Sequence, residues 1–237
     1  MRQAHDQQPS PVIGSTGFVR TPILSLLLVC HAGLAAGATL SGVVRLEGRG
    51  DASSRVTEAV VTYSPDHPGE RRAPEVPVEP FELVTEGKEF RPRVLVVPVG
   101  SKVRLPNRDP ILHNVFSVSG DNAFDVGLYR RGEGEMVTFE HLGLVRVFCN
   151  VHHSMVAYVL VVDTPWVVRP DADGRFRLTG VPEGPGRLTI WHERADAAET
   201  QVTLPVEHEL RIRLEVTKPL VPKHLNKLGK PYGRRYR

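Results

Sequence analysis

The sequence predicts an all-β chain built from two small antiparallel sandwiches. Three observations lead there. Twenty prolines and 21 glycines are spread through 237 residues, so the chain must turn often. Between them lie short Val/Ile/Leu runs with period-two alternation, and no stretch keeps an apolar face at helical spacing for convincing length. Turn clusters such as "PDADGRF" and "PEGPGR" separate these runs at roughly 8–12 residues, the spacing of a sandwich. With 41% hydrophobic and 24% charged residues, the chain also has material for a core.

Residues 1–38 stand apart. In "RTPILSLLLVCHAGLAAGA" an arginine precedes a short apolar run, and small residues close it at Ala36-Gly37-Ala38. That order predicts a secretory signal cleaved after Ala38, and a periplasmic or otherwise extracytoplasmic location. The apolar run is shorter than the ~20 residues a membrane-spanning helix needs. Cys30 would leave with the signal, so the mature chain would hold Cys149 alone and no internal disulfide.

The strand signals then run in order. Residues 39–80 supply "TLSGVVRLEG", "VTEAVVTYSP" and the Pro-rich linker "DHPGERRAPEVPVEP". Residues 81–163 supply "FELVT", "RVLVVPVGSKVRL", "HNVFSVSG", "EMVTFE", "GLVRVFC" and "VAYVLVVD". Residues 164–216 supply "RFRLTG", "RLTIWHE", "ETQVTLP" and "ELRIRLEV". The flanking blocks read as two parts of one sandwich with the 81–163 module nested between them; two consecutive domains are the alternative.

Charge is uneven. Residues 39–216 carry 21 basic and 26 acidic side chains, a net of −5, whereas 217–237 carry seven Lys/Arg and no acid. An acidic body lacks the basic face that nucleic-acid binding needs. The tail reads as solvated; its functional alternative is docking to an acidic partner or to anionic lipid headgroups, the chain's one route to membrane contact.

Chemistry concentrates in "VFCNVHHSM". Cys149, His152 and Met155 lie in a short loop between two apolar strands, and His113 opens a strand far upstream. Each has a bland reading: an inert core thiol, a core methionine, surface histidines, or a Cys–His nucleophile pair without an orienting third residue. Together they favour one metal. Thioether is a poor zinc donor, and calcium and magnesium want oxygens. Two histidines and a cysteine with a weak axial methionine suit electron-transfer copper, leaving no position open for a substrate and so arguing against an enzyme.

These residues sit within a longer pattern: Phe90-x-Pro92, the Val97–Val103 run, Asn107, His113-Asn114-Val115, Phe124-Asp125-x-Gly127, Phe139, Gly143 and the closing "FCNVHHSM". Over residues 81–163 the chain resembles the cupredoxins of the plastocyanin and amicyanin kind, and more broadly multidomain exported proteins of the methylamine-utilisation type. The resemblance implies a Greek-key sandwich and one copper ion cycling between Cu(I) and Cu(II). It also implies His113, Cys149, His152 and Met155 as ligands, with Asn114 bracing the ligand loops through its side chain. His153, next to His152, is a possible alternative ligand. The flanking blocks, through Gly42-Val43-Val44, Ala59-Val60-Val61, Asp171, Gly174, Phe176, Pro185, Gly186 and Leu188, resemble a carboxypeptidase regulatory-like domain. The expected function is single-electron transfer between extracytoplasmic redox proteins, cytochromes being one class of partner. Copper delivery and a metal-free structural module are the alternatives.

Overall fold

The computed structural model describes residues 37–48 and 53–232, which fall within one compact unit. Nearly all of the expected export segment lies outside the described residues; its last residue, Ala38, opens the first strand. Among the described residues no helix is long and apolar enough to cross a membrane.

Two sandwiches make up the fold. The first strands, β1 (Ala38–Gly48) and β2 (Val60–Pro65), are separated from their sheet partners by the whole middle of the chain. β1 lies between β14 (Arg175–Val181) and β17 (Leu210–Val216), antiparallel to the first and parallel to the second. β2 lies between β13 (Val167–Val168) and β15 (Gly184–Trp191), with β16 (Ala198–Leu204) at the sheet edge. Alternation builds both layers: in β14 Phe176, Leu178 and Val181 turn inward, and in β15 Leu188 and Ile190 do so. They meet Leu40, Val44, Val61, Tyr63 and Trp166 in one apolar core.

The turn before β14 shows why "DADG" sits there. The Asp171 carboxylate accepts the backbone N–H groups of Asp173 (2.9 Å) and Arg175 (2.8 Å), the local bond that makes aspartate a turn former. Gly174 follows at φ +81°, and a Cβ there would lie 2.1 Å from the Val44 carbonyl oxygen. Only glycine fits.

After the exposed Pro-rich segment 66–80, the middle sandwich begins. One sheet holds β3 (Phe81–Glu82), β4 (Val84–Glu86), β5 (Glu89–Arg91), β7 (Ser101–Asn107) and β10 (Gly132–Phe139), in the order β10-β7-β4-β5 with β3 also on β7. The other holds β6 (Val94–Pro98), β8 (His113–Ser117), β9 (Phe124–Tyr129), β11 (Gly143–Cys149) and β12 (Val156–Val162), in the order β6-β12-β11-β8-β9. The chain crosses between sheets from β9 to β10 and returns with β11 beside β8, giving the Greek-key sandwich the sequence predicts. Its core includes Phe90, Val103, Leu105, Phe139, Val147 and Val159.

Strands β8 and β12 of the second sheet are covered on both faces. β12 reads "VAYVLVV" without alternation, as a strand covered on both sides does. Its outer residues Val156 and Tyr158 join Phe116 and Phe148 in a separate cluster with Val60, Val167 and Trp191 of the first sandwich. The sheet that carries the cysteine is therefore also the seam between sandwiches. Residues 217–232, expected to be solvated, lie along this seam: Val221 packs on the same cluster and His224 stacks on Phe148 at 4.1 Å. Apolar and aromatic residues among the lysines account for this, because the outward face of β11 would otherwise meet water.

Candidate metal centre

Strand register brings the donors together. β11 pairs with β8 so that Cys149 faces Val115, and alternation then points His113, two residues away, to the same inner side. The loop after Cys149 folds back tightly: Cys149 N–H donates to Met155 O (3.3 Å) and Met155 N–H to His152 O (3.0 Å). His152 is thereby returned over the cysteine. Cys149 Sγ lies 3.6 Å from His113 Nδ1 and 3.7 Å from His152 Nδ1. One donor atom from each of the three lies within 4.8 Å of the others. The Cys149 thiol and His113 are fully buried, while His152 keeps partial exposure.

The remaining candidates fall into place around this group. Met155 is 2% exposed, in the same apolar cluster as Cys149. His153 turns elsewhere, its ring 6.1 Å from that of Tyr232. Asn114 is buried, but its amide donates to Asp125 Oδ1 (2.6 Å) and Gly127 O (2.8 Å) rather than into the ligand loop. Alternation along β8 sends its side chain to the face opposite His113. Its contact with the ligand loop is made by its backbone, through Asn150 N–H on Asn114 O at 2.9 Å.

One residue that the sequence analysis passed over governs His113. Asp109 Oδ2 meets His113 Nε2 at 2.9 Å, and the carboxylate also accepts the N–H groups of Gly87 (2.7 Å) and Lys88 (2.9 Å). The Asn107 side chain shapes this loop, accepting from Asp109 N–H (2.9 Å) and donating to Ile111 O (2.9 Å). With Nε2 held by Asp109, Nδ1 is the nitrogen left for Cys149. The available signal was the D-x-x-x-H spacing ahead of a buried strand.

Electrostatics favour neutral imidazoles. Burial pushes the His113 pKa down, and this outweighs the opposing hydrogen bond and charge of Asp109. Burial also lowers His152, with the His113 and Lys88 charges adding to the effect. For Asp109, burial alone would raise the pKa, but the Lys88 and Gly87 N–H groups together with His113 bring it below the usual carboxylate range. Imidazoles that resist protonation are ready to bind a metal.

The spacing fits one ion. A metal bonded to sulfur at about 2.3 Å and to nitrogen at about 2.0 Å holds each S···N pair about 3.5–3.7 Å apart. The two distances here match that range, and a buried thiol with two imidazoles is a donor set that holds transition metals, copper among them.

No protein-family model matches the chain, and no curated protein matches it. Among solved structures, a copper-containing nitrite reductase from Thermus scotoductus SA-01 is similar at 24% identity and TM-score 0.35, over 39% of this chain and 25% of that one. This chain thus spans a quarter of the reductase's length. A reduced variant of amicyanin is similar at 24% identity and TM-score 0.34, over 44% of this chain and 99% of its own. A purple cupredoxin from Nitrosopumilus maritimus matches at 23% identity and TM-score 0.31, over 35% of this chain and 99% of its own.

Proposed function

We propose that the chain is an exported single-copper protein that carries one electron at a time between extracytoplasmic redox proteins. The observation that supports this reading most is the convergence of His113 Nδ1 from β8, Cys149 Sγ from the end of β11 and His152 Nδ1 from the loop that follows onto one ion-sized gap. Copper bound there would supply one-electron chemistry between Cu(I) and Cu(II). Cys149 would contribute the thiolate, His113 and His152 the imidazoles, and Met155 a weak fourth donor. Asp109 holds the His113 ring in one orientation, so the donors are positioned before a metal arrives. His152, partly exposed while His113 and Cys149 are buried, is the donor nearest to a docking partner. The first sandwich, read as a regulatory-like domain with the copper module nested in it, would serve as scaffold or docking surface.

Reconstitution with Cu(II) tests the reading. An intense visible thiolate band that bleaches with a mild reductant and returns on oxidation is the expected result. Cys149→Ser should abolish the band, and Met155→Leu should keep it while shifting the potential. Rapid loss of copper to a competitor would instead favour delivery, and absence of binding a structural module. A Cys149→Ser protein that stayed blue would refute the ligand assignment.

A further inference from the structure

The basic tail is anchored at three stations. At its root the backbone N–H groups of Thr217 and Lys218 donate to Arg194 O at 3.1 and 3.0 Å, and Lys218 Nζ reaches Ala195 O at 2.8 Å and Asp196 at 2.7 Å. Midway, Arg93 donates to Leu220 O at 2.5 Å. At the far end a tight turn forms, in which Asn226 Oδ1 accepts the N–H groups of Leu228 and Lys230, each at 3.0 Å.

This far end grips three consecutive residues where β11 enters the ligand loop. His224 stacks on the Phe148 ring with planes 13° apart. Tyr232 Oη donates to the Cys149 carbonyl oxygen at 3.1 Å. Lys227 N–H donates to Asn150 Oδ1 at 3.1 Å, and its ammonium meets Asp125 at 2.6 Å. Phe148 faces outward while Cys149 Sγ faces inward, so the tail holds the strand end without entering the donor cluster.

We infer that residues 217–232 are a latch on the ligand loop, with Tyr232 and His224 as positioning residues that keep residues 149–155 closed and slow metal exchange. Only the identity of the retained metal rests on the copper reading above. A metal held in a closed loop leaves through a locally opened form, and every contact absent from that form lowers its population. Beside the Lys227–Asp125 ion pair, the groups that touch residues 148–150 themselves are a phenol, a stacked imidazole and a backbone N–H. Their contacts are directional, unlike those of lysines held by charge alone.

Two measurements on the full chain test the latch: amide hydrogen exchange without metal, and the rate at which bound Cu(I) passes to a competing chelator. Both are made on the wild type, Tyr232→Phe and His224→Ala. Loss of one ordinary hydrogen bond in Tyr232→Phe should speed exchange across 149–155 about 2- to 12-fold. His224→Ala should speed it as well. Copper release should quicken in step, while amides of the β14-β1-β17 sheet keep wild-type rates. Unchanged loop exchange in both variants overturns the latch, and so does a uniform rise across the whole chain, which would mark the tail as general support. Faster loop exchange with unchanged copper release overturns the retention role. If the wild type binds no copper but the loop exchange rises as expected, the latch stands and the copper reading falls.

Discussion

Arg93→Ala should destabilise the protein more than any surface change, because Arg93 joins both sandwiches and the tail. Its guanidinium donates to Glu193 of the first sandwich at 2.6 Å, to Leu220 O of the tail at 2.5 Å, and to Val156 O at 3.4 Å, just beyond the ligand loop. The Glu193 side chain is 0% exposed and that of Arg93 21%. Removing one partner of a buried pair costs about 3–5 kcal/mol, since the other charge stays desolvated. The remaining exposure of Arg93 places this pair at the low end, about 3 kcal/mol. For a folding unit of this size each kcal/mol moves Tm by about 2–4 °C, so a fall of about 6–12 °C is expected. Urea unfolding followed by circular dichroism, with a parallel thermal melt, measures it. Arg93→Ala combined with Glu193→Gln removes the desolvated charge as well, and should be at least about 1 kcal/mol more stable than the sum of the single effects implies. A single variant that loses less than about 1 kcal/mol, the worth of an exposed pair, would refute the account of the seam.

Three further outcomes follow from the same structure. Asp109→Ala should weaken copper binding about 10- to 100-fold by freeing the His113 ring, as measured by competition titration; unchanged affinity would remove Asp109 from the site. Gly174→Ala must hold a Cβ at φ +81° against the Val44 carbonyl, and should lose more than about 1 kcal/mol in denaturant melts. For Asp125, burial alone would raise the pKa, but hydrogen bonds from Lys227, Asn114 and the Gly127 N–H more than offset it, so the folded-state value is depressed. Its contribution to stability is therefore complete above the unfolded pKa of about 3.9 and is lost as pH falls through the folded value. Asp125→Asn should lower stability by a constant amount above about pH 4 and lose that deficit only as pH falls below it, so a wild-type-to-variant difference that changes with pH near neutrality would contradict this assignment.

How much of this could be read beforehand depends on range along the chain. The ligand loop was legible because Cys149, His152 and Met155 are close in sequence, and the loop between two apolar strands was visible in the pattern. His113 was legible through its place at the head of a strand. Asp109 was not singled out: an aspartate four residues before a histidine is common, and only the folded loop turns its carboxylate toward Nε2. The Asn114 side chain was expected to brace the ligand loops, and which face of β8 it takes is set by pairing with β9 and β11. The tail gave the least warning, since seven basic residues mask the few aromatic ones. Two sequence features did hint at a cover: the unbroken apolar run of β12, and Phe148 between Val147 and Cys149 on a strand whose alternate residues already fill the core.

By itself, then, the sequence determined the strands, their inward faces and the kind of donors available, because period-two alternation and side-chain chemistry are properties of neighbouring residues. The tertiary structure alone decided that Cys149 stands opposite Val115, that the outer face of the same sheet is shared with a second sandwich, and that residues 217–232 close over it. Those outcomes depend on which distant apolar surfaces exclude water together, and that competition is settled only when the whole chain packs.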